Sequence, residues 1–194
     1  MNGSPRGSRS QTLRLVRAVL DGARDAGAEV EFVDICKLDI GYCRGCLVCY
    51  ERGECVRRDD FPGLYQKMLA SDGIVLGSPN YINSVTAQIK TMLDRMGDAI
   101  HCQFFLGKYG CAVSTAGGSR ADEVVDYLND VLQTLGANTV GGVGVILGVT
   151  RRRSCLRRGG PTNSAGSLCV PSRIKRPTPN RRGTTPRCTT GCGP

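Results

Sequence analysis

Four cysteines fall within thirteen residues of this 194-residue chain: Cys43-Arg44-Gly45-Cys46-Leu47-Val48-Cys49, then Tyr50-Glu51-Arg52-Gly53-Glu54 and Cys55. Thiolates are soft metal ligands, and two consecutive two-residue gaps let Cys43, Cys46 and Cys49 converge from one tight loop onto three corners of an iron–sulfur cluster. The five-residue gap before Cys55 contains Gly53 and leaves enough backbone to fold back with a fourth thiolate. Ferredoxin runs have a three-residue last gap and a proline after it; here Val56 follows, so Cys55 is not assigned to a second cluster. Two other readings use the same residues. A structural zinc site needs four thiolates in a tetrahedron, although consecutive two-residue gaps are less usual for it. A pair of these thiols can also act as a reversible disulfide or redox sensor.

Three further segments carry chemistry suited to a phosphorylated aromatic ligand. The first, Gly3-Ser4-Pro5-Arg6-Gly7-Ser8-Arg9-Ser10-Gln11-Thr12, stands directly before a helical pattern. Free N–H groups at a helix start favour a phosphate; hydroxyls of Ser4, Ser10 and Thr12 add donors, and Arg6 can offset the charge. No Gly-Lys-Ser/Thr follows, which excludes the usual Walker loop and favours a phosphate monoester such as that of FMN. The second, Ser78-Pro79-Asn80-Tyr81-Ile82-Asn83-Ser84, offers backbone groups to a ring edge, with Tyr81 beside it. In the third, Ser114-Thr115-Ala116-Gly117-Gly118, missing side chains let backbone approach a ligand closely. Each segment alone also reads as an ordinary cap or turn.

The elements that must position these loops alternate. Leu13, Val16, Leu20 and Ala23 keep helical spacing over 10–26, and Glu29–Asp34 alternates charged and apolar residues as an edge strand does. Asp60 and Pro62 open a helix with Leu64, Met68 and Leu69 inward, and Ile74-Val75-Leu76 reads as a buried parallel strand. Val85, Ile89, Met92, Leu93 and Met96 line one face of a third helix, and Tyr109–Ser114 forms another strand. Ser119 and Asp122 make a capping-box-like start to a helix carrying Val124, Leu128, Val131, Leu132 and Leu135, and Val140–Leu147 supplies a last strand. This order predicts an α/β flavodoxin-like doubly wound parallel sheet, strand order 2-1-3-4-5, whose strand-to-helix loops share one edge.

Both ends depart from that plan. The chain starts inside what reads as the first loop, so the first strand is expected to be missing. At the other end the last helix is replaced by Arg151-Arg152-Arg153 and aperiodic Pro, Gly, Thr, Arg and Cys. Residues 151–194 hold 11 Lys and Arg and no Asp or Glu, so the net charge of +9 belongs wholly to them, and residues 1–150 carry 15 basic against 17 acidic groups. The expected organisation is a flavodoxin-like domain over 1–149 with an inserted cysteine loop at 43–55, then a disordered basic tail over 150–194. The abrupt change near Thr150 has the marks of a shifted reading frame. No aromatic residue interleaves the tail's arginines, which argues against nucleic acid. No apolar run reaches membrane length and no signal peptide opens the chain, so a cytoplasmic protein with reduced thiols is expected. Cys36, Cys102 and Cys111 read as buried or incidental, Cys155, Cys169, Cys188 and Cys192 share no ligand spacing, and the sole histidine, His101, reads as a surface residue.

Gly-Ser-Pro-Arg followed by Ser and Thr, then Gly-Ser-Pro-x-Tyr, then Lys90 and the Asp94-Arg95 pair resemble the signature of NAD(P)H-dependent FMN reductases over about residues 2–148. The cysteine spacing resembles the iron–sulfur flavoprotein branch of that family. The resemblance implies that Ser4, Arg6, Ser10, Gln11 and Thr12 hold the FMN phosphate. It places Pro79, Asn80, Tyr81, Ile82, Thr115, Ala116, Gly117 and Gly118 along the flavin ring, and a [4Fe–4S] cluster on Cys43, Cys46, Cys49 and Cys55. Gln11 stands where asparagine is more usual. The implied function is that of an FMN-dependent oxidoreductase in which the flavin, not a protein side chain, carries the chemistry. NAD(P)H or a ferredoxin would be the donor, a small molecule the acceptor, and a homodimer or homotetramer the working unit. Two alternatives remain: a cluster-free NAD(P)H:flavin or quinone reductase, and a non-catalytic, zinc-stapled interaction module.

Overall fold

The computed structural model of the protein describes residues 1–148. Expectations for 150–194, the absent last helix among them, lie outside the described residues. Three strands, β1 (Gly73–Pro79), β2 (Tyr109–Ala116) and β3 (Asn138–Ile146), pair in parallel in the order β1-β2-β3. Among the described residues six α-helices accompany them: α1 (Gln11–Asp25), α2 (Val48–Arg52), α3 (Phe61–Ala70), α4 (Ala87–Asp94), α5 (Gly97–Cys102) and α6 (Ala121–Thr134). Parallel strands need crossover connections, and α4, α5 and α6 provide them.

As expected, no strand is formed before β1 among the described residues, but its place in the sheet is not empty. Met1 and Asn2 lie in the sheet beside β1: Gly77 N–H donates to Met1 O (3.0 Å) and Gly3 N–H to Gly77 O (2.8 Å). On the other side Asn2 N–H donates to Val33 O (2.8 Å) and Ile35 N–H to Asn2 O (2.9 Å). Parallel bridges from Asn2 to both Asp34 and Gly77 therefore give the lateral order 2-1-3-4-5, with the first two strands reduced to bridges. The same shortness explains a correction. Glu29–Asp34 forms no strand, because a two-residue partner offers its ladder only the bridge at Asp34.

Side chains of α3, α4 and α6 bury Leu64, Met68, Ile89, Met92, Val124, Leu128 and Leu132 against Leu76 and Ala112. Close approach of helix to sheet requires glycine at Gly77 and Gly3, among other positions. A Cβ on Gly77 would stand 2.3 Å from Val16 Cγ2 on α1, and one on Gly3 would stand 2.2 Å from Ile89 Cγ1 on α4. The helix expected over Val85–Met96 is shorter: α4 runs Ala87–Asp94 with Arg95 as its C-cap, and buried Met96 separates it from α5.

The Met1 amine is buried and donates to Val75 O (2.6 Å). Burial lowers its pKa from 8.0 to about 5. Between those values the unfolded chain binds a proton that the folded chain refuses. Stability is therefore full above pH 8.0 and is lost as pH falls towards about 5, by on the order of 4 kcal/mol. Urea midpoints across this window should fall with pH, and blocking the amine by acetylation should flatten that slope. An unchanged slope after acetylation contradicts this assignment.

Candidate functional site

Sequence-distant hydrogen bonds knit the first three loops at the carboxyl edge of the sheet. Thr12 Oγ1 meets Thr115 Oγ1 at 2.7 Å, both residues buried, which joins the first loop to the third. Asn80 N–H donates to Thr115 O (2.8 Å), and its Nδ2 donates to Ser119 O (2.9 Å) and Arg120 O (3.3 Å), joining the second to the third. Thr86 Oγ1 donates to Gly3 O (2.8 Å), tying the N-cap residue of α4 to the first loop.

Within the first loop Ser10 is the N-cap of α1, and its Oγ accepts from Leu13 N–H (3.0 Å). Its hydroxyl proton stays available to an anion. Ser4 is buried, Arg6 is exposed, and Gln11 Oε1 accepts from Arg14 (3.2 Å). In the second loop Tyr81 and Ser84 exchange backbone hydrogen bonds around two residues of positive φ, Ile82 (48°) and Asn83 (61°). A β-branched residue in the left-handed region is strained, and Ile82 is 98% exposed, so no packing compensates it. Pro79 and Asn80 are half-buried and Tyr81 is 42% exposed. In the third loop Thr115 and Ala116 are buried, whereas Gly117 and Gly118 are exposed with nothing within 4 Å of where a Cβ would stand. The helix there is not capped by Ser119. Arg120, at φ 65°, precedes α6 and makes no side-chain cap. Buried Asn80 Oδ1 and Ser114 Oγ lack partners. The rim thus combines exposed backbone, free hydroxyl protons and the exposed guanidinium groups of Arg6 and Arg9, a set that fits a phosphorylated flat ring.

The cysteine loop is closed by a neck. Asp60 N–H donates to Asp39 O (3.0 Å), Asp39 N–H to Asp60 Oδ2 (2.8 Å) and Gly41 N–H to Asp59 Oδ2 (3.0 Å). Asp59 is 8% exposed and pairs with Arg95, 1% exposed, at 2.7 Å. Burial opposes ionisation of Asp59, but hydrogen bonds from Arg95, Gly41 and Phe61 outweigh it and hold the carboxyl at about 2. Beyond the neck, Cys43 and Cys46 are exposed, and Cys49 and Cys55 are half-buried. Short α2, which alternation and spacing do not reveal, carries Cys49 and sets Tyr50 edge-on to His101 (5.9 Å) on α5. Under it, buried Asp98 accepts from Tyr65 Oη (3.3 Å), and its carboxyl is pushed up by burial. Burial, then the charges of Asp98 and Cys55, pushes the Cys49 thiol up. Four soft donors on one loop suit an iron–sulfur centre in kind. They are not drawn together, and among the described residues no three Cys, His, Asp or Glu side chains are grouped to hold a metal ion.

The NADPH-dependent FMN reductase model matches residues 1–151. The chain belongs to that family. Among curated relatives, an iron-sulfur flavoprotein of Archaeoglobus fulgidus is 41% identical over 150 residues, covering 75% of this chain and 68% of that protein. One from Methanosarcina thermophila is 31% identical over 154 residues, covering 77% of this chain and 80% of that protein. Of the solved structures, an apo NADH:FMN oxidoreductase, EMOB, superposes with TM-score 0.57 at 21% identity, covering 75% of this chain and 72% of that one. RosB gives TM-score 0.60 at 19% identity, covering 76% and 64%. These two likenesses show the flavodoxin-like fold. Membership of the FMN reductase family makes the chain an FMN-binding oxidoreductase for which a nicotinamide is the implied donor. Among the described residues no helix is long and apolar enough to cross a membrane.

The family's Asp94-Arg95 pair divides its work. Asp94 pairs with Lys90 along α4, and Arg95 turns the other way to Asp59. Asp59, Thr86 and Asn2 are structural anchors that residue type and spacing alone do not reveal. Replacing Asp59 with Ala strands a buried guanidinium and is expected to cost about 3 kcal/mol, read from urea unfolding. Ile82→Asn, which tolerates positive φ, should instead stabilise the chain by about 1 kcal/mol; a loss of stability would mean that Ile82 is not strained.

Proposed function

We propose that this FMN reductase-family chain is an electron-transfer oxidoreductase that holds FMN on the knitted rim and a [4Fe–4S] cluster on the cysteine loop. The observation that carries the flavin part is the convergence of three loops through Thr12–Thr115, Asn80–Ser119 and Thr86–Gly3. In this reading Ser4, Arg6, Ser10, Gln11 and Thr12 surround the phosphate, Ser10 through its free hydroxyl proton and Arg6 through its charge. Pro79, Asn80, Tyr81, Ile82, Thr115, Ala116, Gly117 and Gly118 border the ring, with the two glycines offering backbone N–H groups. Cys43, Cys46, Cys49 and Cys55 hold the cluster, a reading supported by the names of the relatives. When bound, FMN supplies hydride acceptance and a cluster supplies one-electron transfer, so the pair converts two-electron into one-electron chemistry. The protein's own part is to bind, orient and leave one ring face open to the donor, NAD(P)H or a ferredoxin, and to a small-molecule acceptor.

Exposed Tyr42, Leu47, Tyr50, Val56 and Ile82 on the two loops support a homodimer or homotetramer in which subunits cover one another's sites. We also infer a cytoplasmic location, a compartment in which clustered cysteines free of disulfides would stay reduced. The separation of the four thiols favours a second reading, the cluster-free NAD(P)H:flavin or quinone reductase.

Anaerobic purification, followed by reconstitution with ferrous iron and sulfide, tests the proposal. Two resolved flavin bands are expected, plus broad absorption that bleaches with dithionite, with iron and acid-labile sulfide in step. Flavin bands without iron select the second reading; zinc in place of iron indicates the stapled module. A chain that neither retains nor takes up FMN removes the flavin assignment. Thr115→Val, which leaves Thr12 without its buried partner, should weaken FMN binding about tenfold in fluorescence titration.

A further inference from the structure

Arg95 does more than its ion pair requires. It is the C-cap residue of α4, buried, with its guanidinium 4.6 Å over the Phe61 ring. Nη1 donates to Gly41 O (2.8 Å) and Asp59 Oδ2 (2.7 Å), and Nη2 to Asp59 Oδ1 (3.2 Å), so one fork holds both sides of the neck. Its Nε–H is buried with no partner. Leaving a buried donor unused is costly, and such groups in native proteins mark a missing partner or a functional role. Burial works against the charge of Arg95, and Asp59 and the neighbouring Cys55 thiol outweigh it. Arg57 also faces Asp59 (3.6 Å), packs against Gly41 and likewise leaves its Nε–H without a partner, but its side chain is 31% exposed against 1% for Arg95.

We propose that Arg95 is a positioning residue for the cysteine loop: it clamps the neck through Gly41 and Asp59 and reserves its buried Nε–H for the sulfur of Cys55. The inference rests on the iron–sulfur reading of that loop. Four cysteines on an untethered loop would have to be ordered entirely by the metal; a clamped neck leaves less to order. An N–H donated to a ligand sulfur withdraws charge from the cluster and favours its reduced form, so removing that donor moves the potential to more negative values. Lysine keeps the charge but lacks the planar fork and the Nε–H.

The test compares the full-length unsubstituted chain with Arg95→Lys, Arg95→Gln and Asp59→Asn, each checked for folding by circular dichroism. Iron-free protein is treated with trypsin and cleavage followed at Arg44, Arg52 and Arg58. Reconstituted protein is assayed for iron, acid-labile sulfide and the midpoint potential of the iron–sulfur chromophore. Arg95→Gln should lose about tenfold in iron affinity and be cut faster within the loop. Arg95→Lys should load iron with a more negative potential. Asp59→Asn should be cut faster but keep the potential, because the Nε–H survives. Equal cleavage, iron content and potential across all four chains would overturn the proposal. So would a potential shift in Asp59→Asn equal to that in Arg95→Lys, which would reduce Arg95 to a structural clamp. If the unsubstituted chain takes up no iron, the cluster reading fails and the role towards Cys55 falls with it, while the cleavage rates still decide whether Arg95 closes the neck.

Discussion

The centre of the sheet is held by very little chain. Between Val33–Asp34 and β1 the slot is filled by Met1 and Asn2, whose backbone groups pair on both sides and whose first amine donates to Val75 O. A buried strand position must satisfy its neighbours' N–H and C=O groups or leave them dehydrated and unpaired. Asn2 meets that demand with its side chain as well: Nδ2 donates to Asp34 Oδ1 (3.3 Å), and Oδ1 accepts from Ser4 N–H (3.4 Å). The same contacts that complete the sheet therefore launch the first loop in the right direction. Had this stub slipped by one residue, Gly3 would no longer face Ile89, and α4 could not approach so closely.

Strain and unpaired groups gather where that edge faces outward. Ile82, Asn83 and Arg120 take positive φ on adjoining loops, and Asn80 Oδ1 and Ser114 Oγ are buried without partners. The loops hold these costs because each is bonded to the next, through Thr115 above all: its hydroxyl meets Thr12 and its carbonyl accepts from Asn80. A rim that retains its shape without a ligand loses less entropy on binding one. The left-handed Ile82 is then the observation that most clearly sets this edge apart from an ordinary row of turns.

How much of this was legible depends on whether a residue acts locally. Ser10 capping α1, Pro62 opening α3, and the apolar runs of β1 and β2 follow from neighbours within a few positions, and their side-chain periods point inward as read. The Glu29–Asp34 alternation has strand character but fails for want of a partner, a property of Met1 and Asn2 rather than of the segment itself. The capping box at Ser119 fails because Asn80, 39 residues away, takes its carbonyl, and Arg120 turns left-handed. The helical face from Val85 to Met96 is continuous in pattern, yet the chain bends at Arg95, whose side chain is drawn to Asp59, 36 residues distant. Spacing alone did identify the cysteines as a unit. It did not show that their loop folds onto α5, because Tyr50, His101 and Asp98 meet only in three dimensions.

That bend places α4 between the two candidate sites. Thr86 at its N-terminal cap donates to Gly3 O in the first loop, and Arg95 at its C-terminal cap clamps the neck of the cysteine loop. Eight helical residues rise about 12 Å, a span that a helix transmits as a rigid strut rather than as a flexible tether. Ile89, Met92 and Leu93, buried along its length, lock the strut to the core, so neither cap can shift without disturbing packing against Gly3 or the orientation of Arg95. A displacement at either end must then be felt at the other or be absorbed as strain in the core. Among the described helices, α4 is the one bonded through its two caps to both the rim and the neck.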